Sequence, residues 1–268
     1  MAIPIIDGYY RGNRDYADPD IQDAGLWEAT HLHTELLCVI KLFRPDKLNQ
    51  SEVKQEFEMI ERLRLLKPFP KNLVQPFEII PDPNHGKYYT MEACTIDVRK
   101  ALQNLYEIGL YPPPAEWVIK VICNVLQGLI ELHNFGWFHR DIKPDNTLVK
   151  NGIFKIGDYG LVKAIKTGSS VTGAGTRDYM PPEINKYPGL IKDKSNHNWA
   201  TWDIYSTGVM FAELLSDECI NYNHAKQPSY DGFPKQLWTV IRKAIQYHPE
   251  DRYQTAEEFL KAINQIKL

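Results

Sequence analysis

Between Phe138 and Asn146 the chain reads Phe-His-Arg-Asp-Ile-Lys-Pro-Asp-Asn, and no other stretch restricts its fold so tightly. Asp141, Lys143 and Asn146 put an acid, a base and an amide into one short loop. A carboxylate such as Asp141, within hydrogen-bond reach of a hydroxyl, can orient that group and take its proton. Twelve residues past Asn146 stands a second carboxylate, Asp158, in the tripeptide Asp158-Tyr159-Gly160. Asn146 and Asp158 are hard oxygen donors of the kind magnesium prefers. Between them, the apolar runs Thr147–Val149 and Ile153–Ile156 flank Asn151-Gly152, a dipeptide favoured in tight hairpin turns. Such a hairpin places Asp158 just beyond a strand end.

Patterning divides the rest of the chain in two. Residues 1 to about 92 read as a small strand-rich unit with one helix. Leu36–Phe43 is an apolar run of strand length. Gln50 to about Leu66 sets Val53, Phe57, Ile60 and Leu63 on one helical face before Pro68-Phe69-Pro70 ends it. Leu73–Ile80 and Lys87–Met91 read as two more strands around the turn 81–86. From about Ala93 onward helices dominate, with candidates at Ala115–His133, Trp202–Leu215, Pro234–Tyr247 and Thr255–Ile266. The turns of residues 1–25 carry no readable signal.

A length of 268 residues allows one or two domains of ~150 residues. The hydrophobic fraction of 43% and charged fraction of 24% are ordinary for a soluble globular protein. A net charge of -3 offers no polyanion-binding surface, so nucleic acid is not an expected partner. Cys38, Cys94, Cys123 and Cys219 are widely spaced, which reads as reduced thiols rather than a zinc site. No run approaches the ~18 apolar residues that span a bilayer. The apolar start Met1–Ile6 lacks the positive region of a signal peptide. A soluble cytoplasmic protein without a membrane partner is expected.

Four elements resemble, in the same order, those of eukaryotic-like (Hanks-type) serine/threonine protein kinase catalytic domains. Val39-Ile40-Lys41 stands like V-A-I-K, and His139-Arg140-Asp141 with Asn146 like H-R-D-x-x-x-x-N. Asp158-Tyr159-Gly160 stands like D-F-G with Tyr for Phe, and Pro181-Pro182-Glu183 like A-P-E. The similarity covers residues ~20 to 262 and is strongest from Ala93 on. It implies an α+β, bilobal protein-kinase fold. Residues 1–92 would form a small antiparallel-sheet N-lobe with one main helix, and residues 93–268 a larger, mostly helical C-lobe. It also implies transfer of the γ-phosphoryl of ATP, with Mg2+, to serine or threonine hydroxyls of a protein substrate.

Residue roles follow from the same resemblance. Asp141 would orient the hydroxyl and Lys143 would steady the transferring phosphate, while Asn146 and Asp158 would hold Mg2+. Lys143 and Thr176 are marks of serine/threonine specificity. Lys41 would contact the α- and β-phosphates and pair with a glutamate. Glu56 is the choice, because Phe57, Ile60 and Leu63 put its neighbours on the buried face; Glu61 is the alternative, and Glu52 and Glu58 read as solvated. Leu26, Val39 and Leu148 would sandwich the adenine, with Met91 as gatekeeper and Glu92, Ala93 and Cys94 offering backbone donors and acceptors. His139 and Tyr159 would belong to the packed column linking the lobes. Asp203 and Gly208 resemble a D-x-x-S-x-G helix start whose Asp would anchor the catalytic loop, and Arg252 would pair with Glu183.

One element departs from the pattern. The G-x-G-x-x-G loop should fall at Pro19–Ala24, and none of its three glycines is present, although Gly25 could serve after a one-residue shift. Glycine matters there because a Cβ keeps the backbone from closing over phosphates. The departure supports a rival reading, a pseudokinase or nucleotide-binding scaffold without efficient turnover. A kinase of small molecules is a second rival, opposed by Lys143-Pro144, Pro181-Pro182-Glu183 and Thr176. In the segment Asp158–Glu183, Thr172 is the expected phosphorylation site, with Ser169 and Ser170 as alternates. Arg140 and Lys163 would hold the phosphate, and transient self-association would serve autophosphorylation.

Overall fold

In the computed structural model the apolar run at 36–43 becomes strand β4 (Leu37–Phe43), with Cys38, Val39, Ile40 and Phe43 buried. The structure describes residues 5–6, 10–15, 24–43, 47–82, 86–164, 175–188, 191, 197–216 and 235–266. Burial of β4 is nearly continuous because it lies inside a sheet, paired antiparallel to β3 (Ala24–His31) and to β6 (Gly86–Glu92). With β1 (Ile5–Ile6), β2 (Tyr10–Asp15) and β5 (Pro76–Asp82) the order is β1-β2-β3-β4-β6-β5, six strands among the described residues. Directly opposed residues share a face, so Leu26, Lys41 and Tyr89 lie on the same side as Val39 and Met91. The other side packs Tyr10, Ala29, Cys38, Ile40 and Tyr88 into a core cluster.

Helix α1 (Ser51–Leu63) buries Val53, Glu56, Phe57, Met59, Ile60 and Leu63. Phe57 meets Phe43 and Tyr89 at ring-centroid distances of 5.1 and 6.0 Å. The helix stops short of the expected Leu66. The N–H groups of Leu65 and Leu66 bond to Arg62 and Leu63 in tighter turns, and Pro68 disfavours helical backbone at Lys67. The strand expected at Leu73–Ile80 begins later, at Pro76, and continues through Pro81 and Asp82, which had read as a turn. Pro81 is tolerated because β5 is the last strand in the order, where a missing N–H costs no ladder bond. Leu73 instead bridges Ile156.

The chain divides into two compact units, Met1–Pro70 with Val74–Thr95, and Lys71–Leu73 with Ile96–Leu268. In the second, α3 (Ala115–Asn134) buries Val118, Val121, Ile122, Val125, Leu126, Leu129 and Leu132 along one stripe. The hairpin of β9 (Thr147–Lys150) and β10 (Ile153–Ile156) closes through Asn151 and Gly152 at φ 51° and 71°. Positive φ at both turn residues is the type I′ geometry that matches strand twist. Strand β7 (Ile96–Asp97) joins β9, and α2 (Val98–Glu107) follows with Asp97 capping its first turn. Further on come α4 (Pro182–Asn185), α5 (Ala200–Ser216), α6 (Lys235–Ala244) and α7 (Ala256–Asn264). The expected Thr255 start of the last helix is its cap, accepting from Glu258 N–H. Among the described residues no helix is long and apolar enough to cross a membrane.

Candidate active site

In the larger unit the site starts from a buried carboxylate. Asp203 on α5 accepts N–H bonds from His139 at 2.8 Å and Arg140 at 2.7 Å, and His133 from α3 lies 2.9 Å from the same group. Burial alone would raise the Asp203 carboxyl, but His133, His139 and the Arg140 N–H hold it below its ordinary value. These bonds fix Arg140 at φ 71°, left-handed backbone that a β-carbon disfavours. The turn sends Asp141 toward Thr176. The His139 ring bonds the Gly157 carbonyl at 2.9 Å, which requires Nε2 to carry the hydrogen. Its Nδ1 then accepts from Asp141 N–H at 3.4 Å. His139 also meets the buried Tyr159 ring edge-on at 6.5 Å.

Asp141 is held at both oxygens. Oδ1 accepts from Thr176 N–H at 2.9 Å and from its hydroxyl at 2.8 Å. Oδ2 accepts from the Asn146 amide at 2.8 Å and lies 3.1 Å from Lys143 Nζ. Lys143 Nζ also donates to Thr176 Oγ1 at 2.7 Å. Asn146 spends its N–H donors on Asp141, at Oδ2 and at the backbone carbonyl, which leaves its own oxygen as the ligating end. Asp158 follows β10 at φ 51° with an exposed carboxylate, one oxygen of which accepts from Gly160 N–H at 3.4 Å. An amide oxygen and an exposed carboxylate fit magnesium, which is commonly held by one or two carboxylates together with phosphate oxygens and water.

Gly175 brings Thr176 to this group. Its φ is +133°, and a β-carbon there would lie 2.9 Å from the Arg140 carbonyl. Downstream, Glu183 and Arg252 form a bidentate pair at 2.7 Å with both side chains fully buried. Arg140 stacks over Trp202 at 5.0 Å, and Lys163 sits in β11 (Lys163–Ala164) opposite Phe138 of β8 (Trp137–Phe138). Thr172, Ser169 and Ser170 lie outside the described residues, as do Pro19–Asp23 of the expected phosphate loop. Ala24 and Gly25 belong to β3, and Gly25 has no left-handed φ.

In the smaller unit Lys41 Nζ donates to Glu56 Oε1 at 2.7 Å. Glu58 pairs instead with Arg62 on the solvent side, and Glu61 approaches Lys87 at 3.7 Å. Tyr89 adds a partner that the sequence did not reveal, its hydroxyl donating to the same Glu56 oxygen at 2.6 Å. Leu26, Val39 and Met91 share the Lys41 face of the sheet. At Glu92 the N–H donates to Gln75 O at 2.9 Å and the carboxylate accepts from Gln75 N at 2.8 Å, which ties the end of β6 to Gln75. Cys94 lies half-buried near the end of this unit, and Leu148 is half-buried on β9 of the other.

Comparison with known proteins adds a pattern of relatedness to this geometry. The model of the protein kinase domain matches residues 24–267. The serine/threonine-protein kinase PknB of Mycobacterium leprae is 30% identical over 167 residues, 55% of this chain and 26% of the relative. PknB of Mycolicibacterium smegmatis is 33% identical over 161 residues, 52% of this chain and 24% of the relative. PknL of Mycobacterium tuberculosis is 33% identical over 171 residues, 57% of this chain and 40% of the relative. The matched stretch thus spans 24% to 40% of these longer relatives.

Proposed function

Since this chain belongs to the protein kinase domain family, matched over residues 24–267, we propose that it phosphorylates serine and threonine hydroxyls of proteins with ATP and Mg2+. The observation that carries the reading is the closed network of Asp141, Lys143, Asn146 and Thr176, whose contacts lie between 2.7 and 3.1 Å. An ionised carboxylate offers about four acceptor positions, and here all are engaged. An arriving hydroxyl would therefore take the place of the longest contact, that to Lys143. Asp141 would accept its hydrogen while Lys143 turns its charge to the transferring group. A bound Mg2+ would supply charge neutralisation of the phosphates, with Asn146 and Asp158 as its protein ligands. Lys41, fixed by Glu56 and Tyr89, would present its ammonium to the nucleotide phosphates.

The reaction gains mostly from positioning and electrostatics, and a carboxylate held at both oxygens by Thr176, Asn146 and Lys143 suits it. The rival scaffold reading rests on the connection between β2 and β3, which lacks glycine in sequence. Mass spectrometry after incubation with MgATP and a generic protein substrate separates the two, with Asp141→Asn as control. Phosphate on the substrate or on Thr172 and its neighbours, absent in the control, is the expected result. ATP binding without any phosphate transfer would overturn the assignment in favour of the scaffold.

A further inference from the structure

Pro19–Ala24 carry none of the glycines that would let a backbone close over phosphates, so more of the hold on a nucleotide falls to Lys41. Lys41 on β4 and Tyr89 on β6 stand directly opposite each other, and Glu56 reaches both from α1. One oxygen, Glu56 Oε1, accepts from Lys41 Nζ at 2.7 Å and from the Tyr89 hydroxyl at 2.6 Å. The Tyr89 ring packs against Phe43 and Phe57 at centroid distances of 6.1 and 6.0 Å, and those two rings lie 5.1 Å apart. A phenylalanine at 89 would make the same apolar contacts. The hydroxyl is therefore what Tyr89 adds, and Glu56 receives it.

A carboxylate oxygen offers about two acceptor positions, so these two donors fill Oε1. To face a phosphate, Lys41 must turn part of its ammonium away from Glu56. Tyr89 is 1% exposed and Glu56 3%, so bulk water does not stand ready to replace the lost bond. A buried carboxylate left uncompensated is costly, and its pull would hold the lysine back from the nucleotide. The phenol keeps Oε1 hydrogen-bonded while Lys41 turns. Being neutral, it does so without adding a second charge beside the ammonium.

We propose that Tyr89 is a positioning residue for the nucleotide phosphates: its hydroxyl holds Glu56 so that Lys41 can give its charge to the α- and β-phosphates of ATP. It acts through Glu56 and Lys41, with no contact of its own to the nucleotide. This inference rests on the protein kinase reading above and deepens it at one point, the grip on phosphate in a chain whose loop lacks glycine. Lys41 would meet the same phosphates before and during transfer, so the effect belongs to KM for ATP rather than to kcat. Adenosine, which carries no phosphate, should not register it.

The test is calorimetric titration of the full chain with MgATP and with adenosine, before and after Tyr89→Phe. The variant should bind MgATP about tenfold more weakly, as for one lost bond to an ionised acceptor, and adenosine as tightly as before. In turnover of a generic protein substrate, KM for ATP should rise by a similar factor while kcat holds. Equal weakening of ATP and adenosine would make Tyr89 an architectural residue and overturns the proposal. An unchanged ATP affinity, or a loss confined to kcat, overturns it too. The titrations need no turnover, so an original chain that binds ATP without transferring phosphate counts against the kinase reading alone. An original chain that binds ATP no more tightly than adenosine overturns both. If Tyr89→Phe unfolds by circular dichroism, Tyr89→Met, an adaptable apolar side chain without a hydroxyl, takes its place in both measurements.

Discussion

Lys41 is an ammonium with 11% of its side chain exposed, and Glu56, at 3%, is what makes that burial tolerable. Removing one member of such a pair leaves the other as an uncompensated buried charge. Glu56→Ala should therefore cost about 3–5 kcal/mol in urea denaturation, far above a surface ion pair such as Glu58–Arg62. Tyr89→Phe isolates one hydrogen bond of the same group without changing its charge. It should cost about 2 kcal/mol, as for a bond to an ionised acceptor. A neutral Tyr89→Phe would mean that the 2.6 Å contact contributes nothing net to stability. At Gly175 the constraint is geometric. A β-carbon there would press on the Arg140 carbonyl at 2.9 Å, and neither atom can swing aside as a side chain would. Gly175→Ala should lower kcat by about tenfold to a hundredfold through a small misplacement of Asp141 and Thr176. Unchanged kcat would show that the segment relaxes.

Among elements, α5 and α6 approach so closely that Gly208 has room for nothing larger. A β-carbon there would lie 2.7 Å from Ala244 Cβ and 2.8 Å from Ile245 Cγ2. Alanine gains about 1 kcal/mol of helix propensity over glycine, but overpacking costs about 1–3 kcal/mol. Both clashing atoms at the first contact are β-carbons fixed to backbone, so the overpacking should win. Gly208→Ala is expected to lower Tm by about 2–4 °C per kcal/mol lost, read by calorimetry. The elements most readable in sequence were those that announce themselves locally. Asn151-Gly152 fixed a turn, and Phe57, Ile60 and Leu63 showed which side of α1 faces inward and so where Glu56 points. Strand β2 escaped because Tyr10–Asp15 is mostly polar and becomes a strand through its pairing with β3. The glutamine–glutamate pairing at Gln75 and Glu92 and the Tyr89 hydroxyl escaped for a related reason. Their partners lie 17 and 33 residues away, and no local pattern marks such contacts.

Across the whole molecule, the acid side of the stability curve should begin at histidine, because carboxylates stay ionised until well below the usual histidine range. Among the described residues, His197 is a histidine whose environment gives this a sign. Burial pushes its pKa below the ordinary 6.5, and nearby Arg252 acts in the same direction, against the pull of Glu183 and Glu250. Its ring packs edge-on against Trp199 at 4.6 Å, and its Nε2 is buried without a hydrogen-bond partner. In the folded state the imidazole thus resists protonation, whereas in the unfolded chain it titrates near 6.5. Between the folded value and 6.5 the unfolded state binds more protons, so stability is fully present above 6.5 and is lost as pH falls through that window. Asp203 contributes a second loss only in stronger acid, below its ordinary 3.8, since its pKa is also depressed. His197→Gln removes the titrating group while keeping a polar side chain. Urea denaturation from pH 8 to pH 5 should show the original chain losing stability below about 6.5 and the variant losing less. Parallel curves would place the acid sensitivity elsewhere. A variant more sensitive than the original chain would mean that folding raises the imidazole pKa, with Glu183 and Glu250 outweighing the burial.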